Sequence, residues 1–230
     1  MKESHKEFVE KKFNKIVGRY DLVNSLLSFF QDHLWRRSLA NFFRDTPGPF
    51  LDLCCGPFTL SFEILKKNPQ TLYALDLSLN MLLYGRRKIN PLQRFIFPIR
   101  GDSERLPFKE QSVQAISIAF GFRNLPNREE ALREFYRVLK QGGLLAILEF
   151  SMPSNRVIKP LYLLYLKYLV PLIGGALTGD KEAYQYLAES IQKFPTPKEV
   201  EAMAQRVGFL PLERKLFTFG VVCLYLFRKA

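Results

Sequence analysis

Histidine and cysteine are scarce in this chain: 2 and 3 residues among 230, beside a single tryptophan. Two of the cysteines are adjacent, Cys54-Cys55, which makes no ordinary unstrained disulfide and lacks the paired spacing of metal ligands. A disulfide framework is therefore excluded, and no structural metal is expected. Internal repeats and low-complexity segments are absent, so solenoids and disordered linkers are set aside. The first 15 residues are charged throughout and have no apolar core of the kind a secretory signal needs, which points to the cytoplasm. The most apolar stretch, residues 157–177, approaches the ~20 residues that cross a bilayer. Lys159, Pro160, Lys167 and Pro171 interrupt it, so it is expected to form a buried or interfacial helix pair, not a span.

Apolar residues make up 47% of the chain and charged residues 24%, enough for one sizeable core, and a single domain over residues 1–230 is expected. The net charge of +12 favours an anionic partner: nucleic acid, a phosphorylated ligand or an anionic membrane surface. Its lysines and arginines are dispersed, as solvated helix faces also require.

Residues 1–46 read as a helical preface, with Phe8, Phe13, Ile16 and Val17 and then Leu22, Val23, Leu26 and Leu27 at loose helical spacing. After Thr46-Pro47-Gly48-Pro49, short apolar runs alternate with amphipathic segments, the signature of a parallel α/β sheet. Strands are expected near 50–55, 71–76, 94–99, 113–119 and 143–150, and helices near 59–67, 78–88 and 127–140, the last stopped by Gly142-Gly143. A helical insertion over 152–195 follows, then a helix from Pro197 ended by Gly208, and two final strands near 209–218 and 219–227. Within the insertion Leu161, Leu164, Tyr165, Tyr168 and Leu169 fall on one helical stripe, widened by Tyr162 and Leu166. The segment is either a core helix or a lid with a surplus apolar face.

Three acidic residues end three consecutive strands: Asp52, Asp76 and Asp102, where α/β sheets bind ligands. Gly56 allows close backbone approach after the first strand, and Asp76 is placed to accept both hydroxyls of a ribose. G-x-G-x-x-G is absent, and an acid inside the first strand suits a cationic ligand better than a pyrophosphate.

From these residues the chain resembles the class I S-adenosylmethionine (SAM)-dependent methyltransferases, and within them the C-methyltransferases of menaquinone and ubiquinone biosynthesis. The particular segments are Tyr20-Asp21-Leu22-Val23-Asn24, Ala119-Phe120-Gly121-Phe122-Arg123-Asn124, Leu148-Glu149-Phe150-Ser151 and Tyr186-Leu187-Ala188-Glu189-Ser190-Ile191. The resemblance implies a Rossmann-like α/β sheet, mostly parallel with an antiparallel last strand. It implies SAM as methyl donor, held by Asp52, Gly56, Pro57, Asp76, Asp102, Ser103 and Ala119. It implies a polyprenyl quinol as acceptor, with Arg123, Asn124, Tyr20 and Asn24 beside it and Arg123 stabilising an oxyanion electrostatically. Asp21, His33 and a water held by Arg123 remain open as general base.

The resemblance also implies transient contact with an anionic membrane and no nucleic acid; oligomeric state is left open. Two departures stand out: Gly56-Pro57-Phe58-Thr59 replaces the family's G-T-G-D, and Ala119 replaces a serine. Phe58 is expected either to crowd the SAM site or to be recruited, stacking on the cofactor or filling a gap beside Leu60 and Phe62. Asp32-His33 also stands where the family has a histidine followed by a basic residue. A nucleic-acid methyltransferase, and a non-catalytic subunit of a quinone-synthesis complex, remain as alternatives.

Overall fold

The computed structural model describes residues 5–90 and 94–230. The side chains of Phe13, Ile16 and Tyr20 lie outside the described residues. The preface is helical: α1 (His5–Ile16), α2 (Tyr20–Leu27) and α3 (Gln31–Ala40). Alternation then begins with β1 (Phe50–Leu53), α4 (Thr59–Lys67), β2 (Leu72–Asp76), α5 (Leu79–Arg86), β3 (Ile96–Arg100), β4 (Val113–Ala119), α6 (Arg128–Val138) and β5 (Leu139–Phe150). The insertion contributes α7 (Ile158–Leu164), a π-turn (Tyr165–Leu169), α8 (Val170–Thr178) and α9 (Lys181–Gln192). The chain closes with α10 (Pro197–Val207), β6 (Phe209–Phe217) and β7 (Val222–Lys229).

The strands form one sheet in the order β3-β2-β1-β4-β5-β7-β6. β1 to β5 pair in parallel, and β7 runs antiparallel to both β5 and β6. Because side chains alternate along a strand, each sheet face has its own core. Leu51, Leu53, Ile116, Ile118, Leu145 and Ile147 face α6 and α10, whereas Phe50, Leu72, Ala74, Ala115, Ala146 and Leu148 face α3, α4 and α5. Strand order reverses between β1 and β4, so a crevice opens beyond their C-terminal ends, the usual ligand position in such sheets.

Two expectations from the sequence are corrected. The helix expected to reach residue 140 ends at Val138, and β5 already pairs there, Leu139 with Val113. Gly142-Gly143 forms a bulge inside that strand: Gly142 has φ +71, and a Cβ on Gly143 would lie 2.8 Å from the Lys140 carbonyl oxygen. The apolar stretch of the insertion is also one continuous helical run from 158 to 178, not a helix pair. The π-turn precedes Pro171 and covers position 167, whose carbonyl would have bonded the proline's missing N–H, so the helix passes through without a break.

The inward face of that run differs from the stripe read above. Tyr162, Leu166 and Val170 are buried against Val23, Ala183, Tyr184, Ala188 and Ile191, whereas Leu161, Leu164, Tyr168 and Leu169 face outward. A segment apolar on every side gives periodicity nothing to choose between. Residues 158–178 are long and apolar enough to cross a membrane, yet only 22% of the most apolar window is buried.

Candidate active site

Two cavities meet at the C-terminal ends of β1 and β4. The first, about 740 Å³ with its mouth, is lined by Gly56, Asp76, Asp102 and Ser103, together with Cys54 and Gly121. The second, about 970 Å³, lies between the preface and the insertion and is lined mainly by aromatic and aliphatic side chains. Phe120 lines both and is the wall they share.

The first cavity fits SAM. Asp76 ends β2 half-buried, its Oδ2 accepting from the Gly56 N–H at 2.8 Å and its Oδ1 from the Ser78 N–H at 2.8 Å. These bonds fix the carboxylate plane while leaving each oxygen a further lone pair. Burial pushes its pKa up to about 6, against the stabilising Gly56 and Ser78 N–H groups. Ser103 is buried with its Oγ 3.6 Å from Cys54 Sγ, and Asp102 Oδ1 accepts from the Glu104 N–H at 2.9 Å. Backbone approach is tight: a Cβ on Gly121 would fall 2.4 Å from that of Cys54. Cys54, Phe58 and Phe120 all have positive φ, a conformation that costs non-glycine residues free energy and recurs at ligand sites.

Asp52, Pro57 and Ala119 do not line this cavity. Asp52 shares a sheet face with Phe50 and is sealed inside, Oδ2 accepting from Ser61 Oγ at 2.6 Å and Oδ1 from Ser117 Oγ at 2.7 Å. Desolvation pushes its pKa up to about 6. It ties β1 to α4 and β4, which sets the turn carrying Gly56. Pro57 is buried within that turn, and half-buried Ala119 packs on the α4 side, one residue before Phe120.

Phe58 does not crowd the cavity. Its ring is fully buried, 0% exposed, edge-on to Phe62 at 6.1 Å. It lies so close to Gly85 that a Cβ there would sit 2.8 Å from the ring. The positive φ of Phe58, +67, turns the side chain down between α4 and α5, away from the ligand.

On the acceptor side the structure brings Arg123 and Asn24 into one cavity, while Asn124 lines the first cavity and accepts from Tyr186 Oη at 3.1 Å. Arg123 is buried and held on several sides. Its Nη1 donates to Glu149 Oε1 at 2.9 Å and to the Phe120 carbonyl, its Nε to Ser190 Oγ at 3.3 Å, and its backbone N–H to Glu149 Oε2 at 3.0 Å. Glu149 offsets the Arg123 charge, which leaves Arg123 an oriented donor whose Nη2 lies outside these bonds. Tyr20 opens α2, with its side chain outside the described residues.

Of the open candidates for base, Asp21 accepts from Thr59 Oγ1 at 2.8 Å and Lys88 Nζ at 2.7 Å, away from the cavity. His33 is largely exposed, 3.2 Å from Ser25 Oγ. Sequence reasoning missed Asp32, Arg36, Trp35 and Phe150, all of which line the acceptor cavity. The signals were the displaced histidine position at Asp32-His33 and the family segment that contains Phe150, neither of which was read as cavity wall.

A seven-stranded sheet with one reversed strand, and a cleft at its switch point built on an acid after β2, define a class I SAM-dependent methyltransferase. Solved structures share this fold: a SAM-dependent methyltransferase from Thermotoga maritima superposes with a TM-score of 0.66 at 16% identity, over 96% of this chain and 99% of that one. One from Aquifex aeolicus gives 0.62 at 16% identity, over 91% and 98%. The sequence model of the ubiE/COQ5 methyltransferase family matches residues 1–229, and the chain belongs to that family. Curated relatives include the demethylmenaquinone methyltransferases of Bacillus mycoides, 34% identical over 98% of this chain and 97% of the relative, and of Thermus thermophilus, 37% identical over 93% and 97%.

Asp76 carries a testable consequence. If ribose hydroxyls donate to its carboxylate, as expected from the sequence, SAM must compete with a proton below the raised pKa of about 6. Affinity should be level above pH 6 and weaken as pH falls through it, by up to about tenfold per unit, since one pKa unit corresponds to ~1.4 kcal/mol. Asp76→Ala should lose about 1.5–3 kcal/mol of SAM binding and flatten that profile. Calorimetric titration between pH 5 and 8 checks both; unchanged affinity in the variant would place the cofactor away from β2.

Proposed function

We propose that the chain methylates a ring carbon of a polyprenyl naphthoquinol, the demethylmenaquinol step of quinone biosynthesis. The observation that carries this reading is the enclosed, aromatic-lined acceptor cavity separated from the SAM cleft by one ring, Phe120. The names of the curated relatives support the naphthoquinol over a benzoquinol. Such an apolar enclosure suits a greasy bicyclic ring better than a nucleobase on a phosphate chain. The non-catalytic alternative drew on Pro57, Phe58 and Ala119, none of which lines the SAM cleft.

SAM supplies an electrophilic methyl with a good leaving group, so the chain's residues have two tasks: to align the ring and to handle a proton. Alignment is worth on the order of 7–11 kcal/mol in well-arranged cases. Trp35, Phe120 and Phe150, packed together with ring centroids 4.7–6.5 Å apart, form an aromatic wall against which a flat ring can lie. Arg123, fixed by Glu149 and Ser190, and Asn24 offer donors for a ring oxygen, with Asn124 beside the wall where the methyl arrives. The fit demands the hydroquinone, whose hydroxyl proton can leave so that charge reaches carbon. Turnover should therefore occur with the reduced acceptor and fail with the quinone; equal anaerobic turnover of both forms would overturn the reading.

The isoprenoid tail leaves between α2 and the 158–178 helix, where cavity-lining Leu27 and Val170 adjoin exposed Leu26 and Leu169. Outside that seam stand Phe29, Phe30, Leu34, Leu161, Leu164 and Leu172, all exposed, with exposed Lys159 and Lys167 among the insertion's members. We read this surface as lying on an anionic bilayer from the cytoplasmic side, apolar face inward and lysines at the headgroups. Binding to anionic vesicles should be weak and decline with salt. Lys159→Glu with Lys167→Glu should remove at least about 2 kcal/mol, near 1 kcal/mol for each lysine lost, with repulsion of the new carboxylates in addition. Vesicle sedimentation unchanged by the double substitution would place the contact elsewhere.

A further inference from the structure

Resting on the quinol reading above, we propose that Asp32 is the general base of the reaction, the group that receives the proton of the acceptor hydroxyl. Asp32 is the one carboxylate lining the acceptor cavity among the described residues, and it is 4% exposed. Its Oδ1 accepts from Ser28 Oγ at 3.1 Å and its Oδ2 from Arg36 Nη1 at 2.5 Å. The Arg36 guanidinium lies 5.0 Å from the centroid of Phe120, the ring that separates acceptor from SAM. The pair is thus one aromatic ring away from the point of methyl delivery.

The other charged and titratable groups of the cavity cannot serve. Lys12, from α1, is an ammonium whose pKa is raised by Glu182 and Asp180, and it has no lone pair to offer. The guanidinium groups of Arg36 and Arg123 are donors with no acceptor lone pair. Tyrosine phenols ionise near 10 at best, and burial pushes Tyr162 and Tyr186 up and Tyr165 to about 12. Glu149 lies behind Arg123, both its oxygens accepting from that residue. His33, on α3, does not line the cavity; its exposed ring pairs with Ser25 Oγ and stands 3.9 Å from Asp32 Oδ1, beyond hydrogen-bond reach.

The step balances without a further reagent. Asp32 takes the hydroxyl proton, and the O–H electron pair moves into the ring. The ring carbon forms its bond to the methyl as the methyl–sulfur bond breaks, its pair staying on sulfur. The proton of that ring carbon passes to solvent, its C–H electron pair returns to the ring to restore aromaticity, and the aryl oxide takes back its proton from Asp32, so one proton is released to solvent per turnover. While Asp32 is protonated, the charge of Arg36 is no longer balanced by it and faces the aryl oxide instead.

The test begins with wild-type protein, SAM and a short-chain demethylmenaquinol under anaerobic conditions. If the wild type transfers no methyl, the quinol reading fails and this assignment with it. Given wild-type turnover, Asp32→Asn should lower kcat by about 100-fold or more, the range for a lost general base. SAM affinity should hold, and the rising limb of the wild-type pH–rate profile should disappear. Formate added to Asp32→Ala should restore rate in proportion to its concentration, a comparison made within one variant and so independent of how much of it folds. A variant within about threefold of wild type, or a loss that keeps the pH profile and ignores formate, overturns the assignment while leaving the quinol reading standing.

Discussion

Arg123→Ala should destabilise the protein by about 3–5 kcal/mol, the usual consequence of removing one partner of a buried ion pair. Glu149 is 0% exposed; the truncation keeps its backbone N–H bonds from residues 123 and 150 but removes the Nη1 ion pair, which leaves a buried carboxylate without its paired charge. The melting temperature should fall by roughly 6–20 °C, at 2–4 °C per kcal/mol for a chain of this size. Activity lost in this variant is therefore not a measure of catalysis. Pairing it with Glu149→Gln removes the stranded charge and should recover most of the stability. The double variant should bind SAM normally and still lose about 10²–10³ in kcat, as when one oriented donor is removed from an active site. A double-mutant cycle read by thermal melts and by turnover checks both halves. A stable double variant with wild-type turnover would leave Arg123 a structural residue only.

Phe58→Gly should also act through the fold. Removing a fully buried ring costs about 3–5 kcal/mol, and glycine recovers about 1 kcal/mol of that because it adopts positive φ without strain. The net effect is a loss of roughly 2–4 kcal/mol, read as a lower melting temperature, with SAM affinity of the folded protein within about twofold of wild type. Tighter SAM binding by the glycine variant would mean that the ring reaches the cofactor after all. The pairing with Gly85 makes a second point: Gly85→Ala would drive a methyl into the Phe58 ring, and the two substitutions together should cost less than their sum.

Several features of the site were legible in the sequence because they depend on position along a strand. Asp76 and Asp102 follow β2 and β3, and Gly56 opens the turn to α4; strand ends and a glycine suffice to place them. Asp52 was misread because β1 is buried on both faces, so Phe50-Leu51-Asp52-Leu53 has no polar side to show which way the acid points. Its partners, Ser61 and Ser117, lie 9 and 65 residues away, a distance pattern reading cannot cross. For Phe58, a ring in place of a glycine left crowding and gap-filling both open; the left-handed backbone aims it into a gap that Gly85 leaves, and neither fact is local. The insertion's inward face was hidden by its apolar character on all sides. Asp32 was visible only as a displaced histidine; its place in the acceptor wall depends on α3 packing beneath Phe120.

The central claim, that this chain moves a methyl from SAM to the ring carbon of a reduced polyprenyl naphthoquinone, is tested most directly by isotope transfer. Purified protein is incubated anaerobically with SAM labelled in the methyl group and with demethylmenaquinol in anionic vesicles, and the extracted quinone is analysed by mass spectrometry. One labelled methyl on the ring is the predicted result. SAM bound with normal affinity but no label on the quinone, from protein whose melting curve shows it folded, would contradict the account.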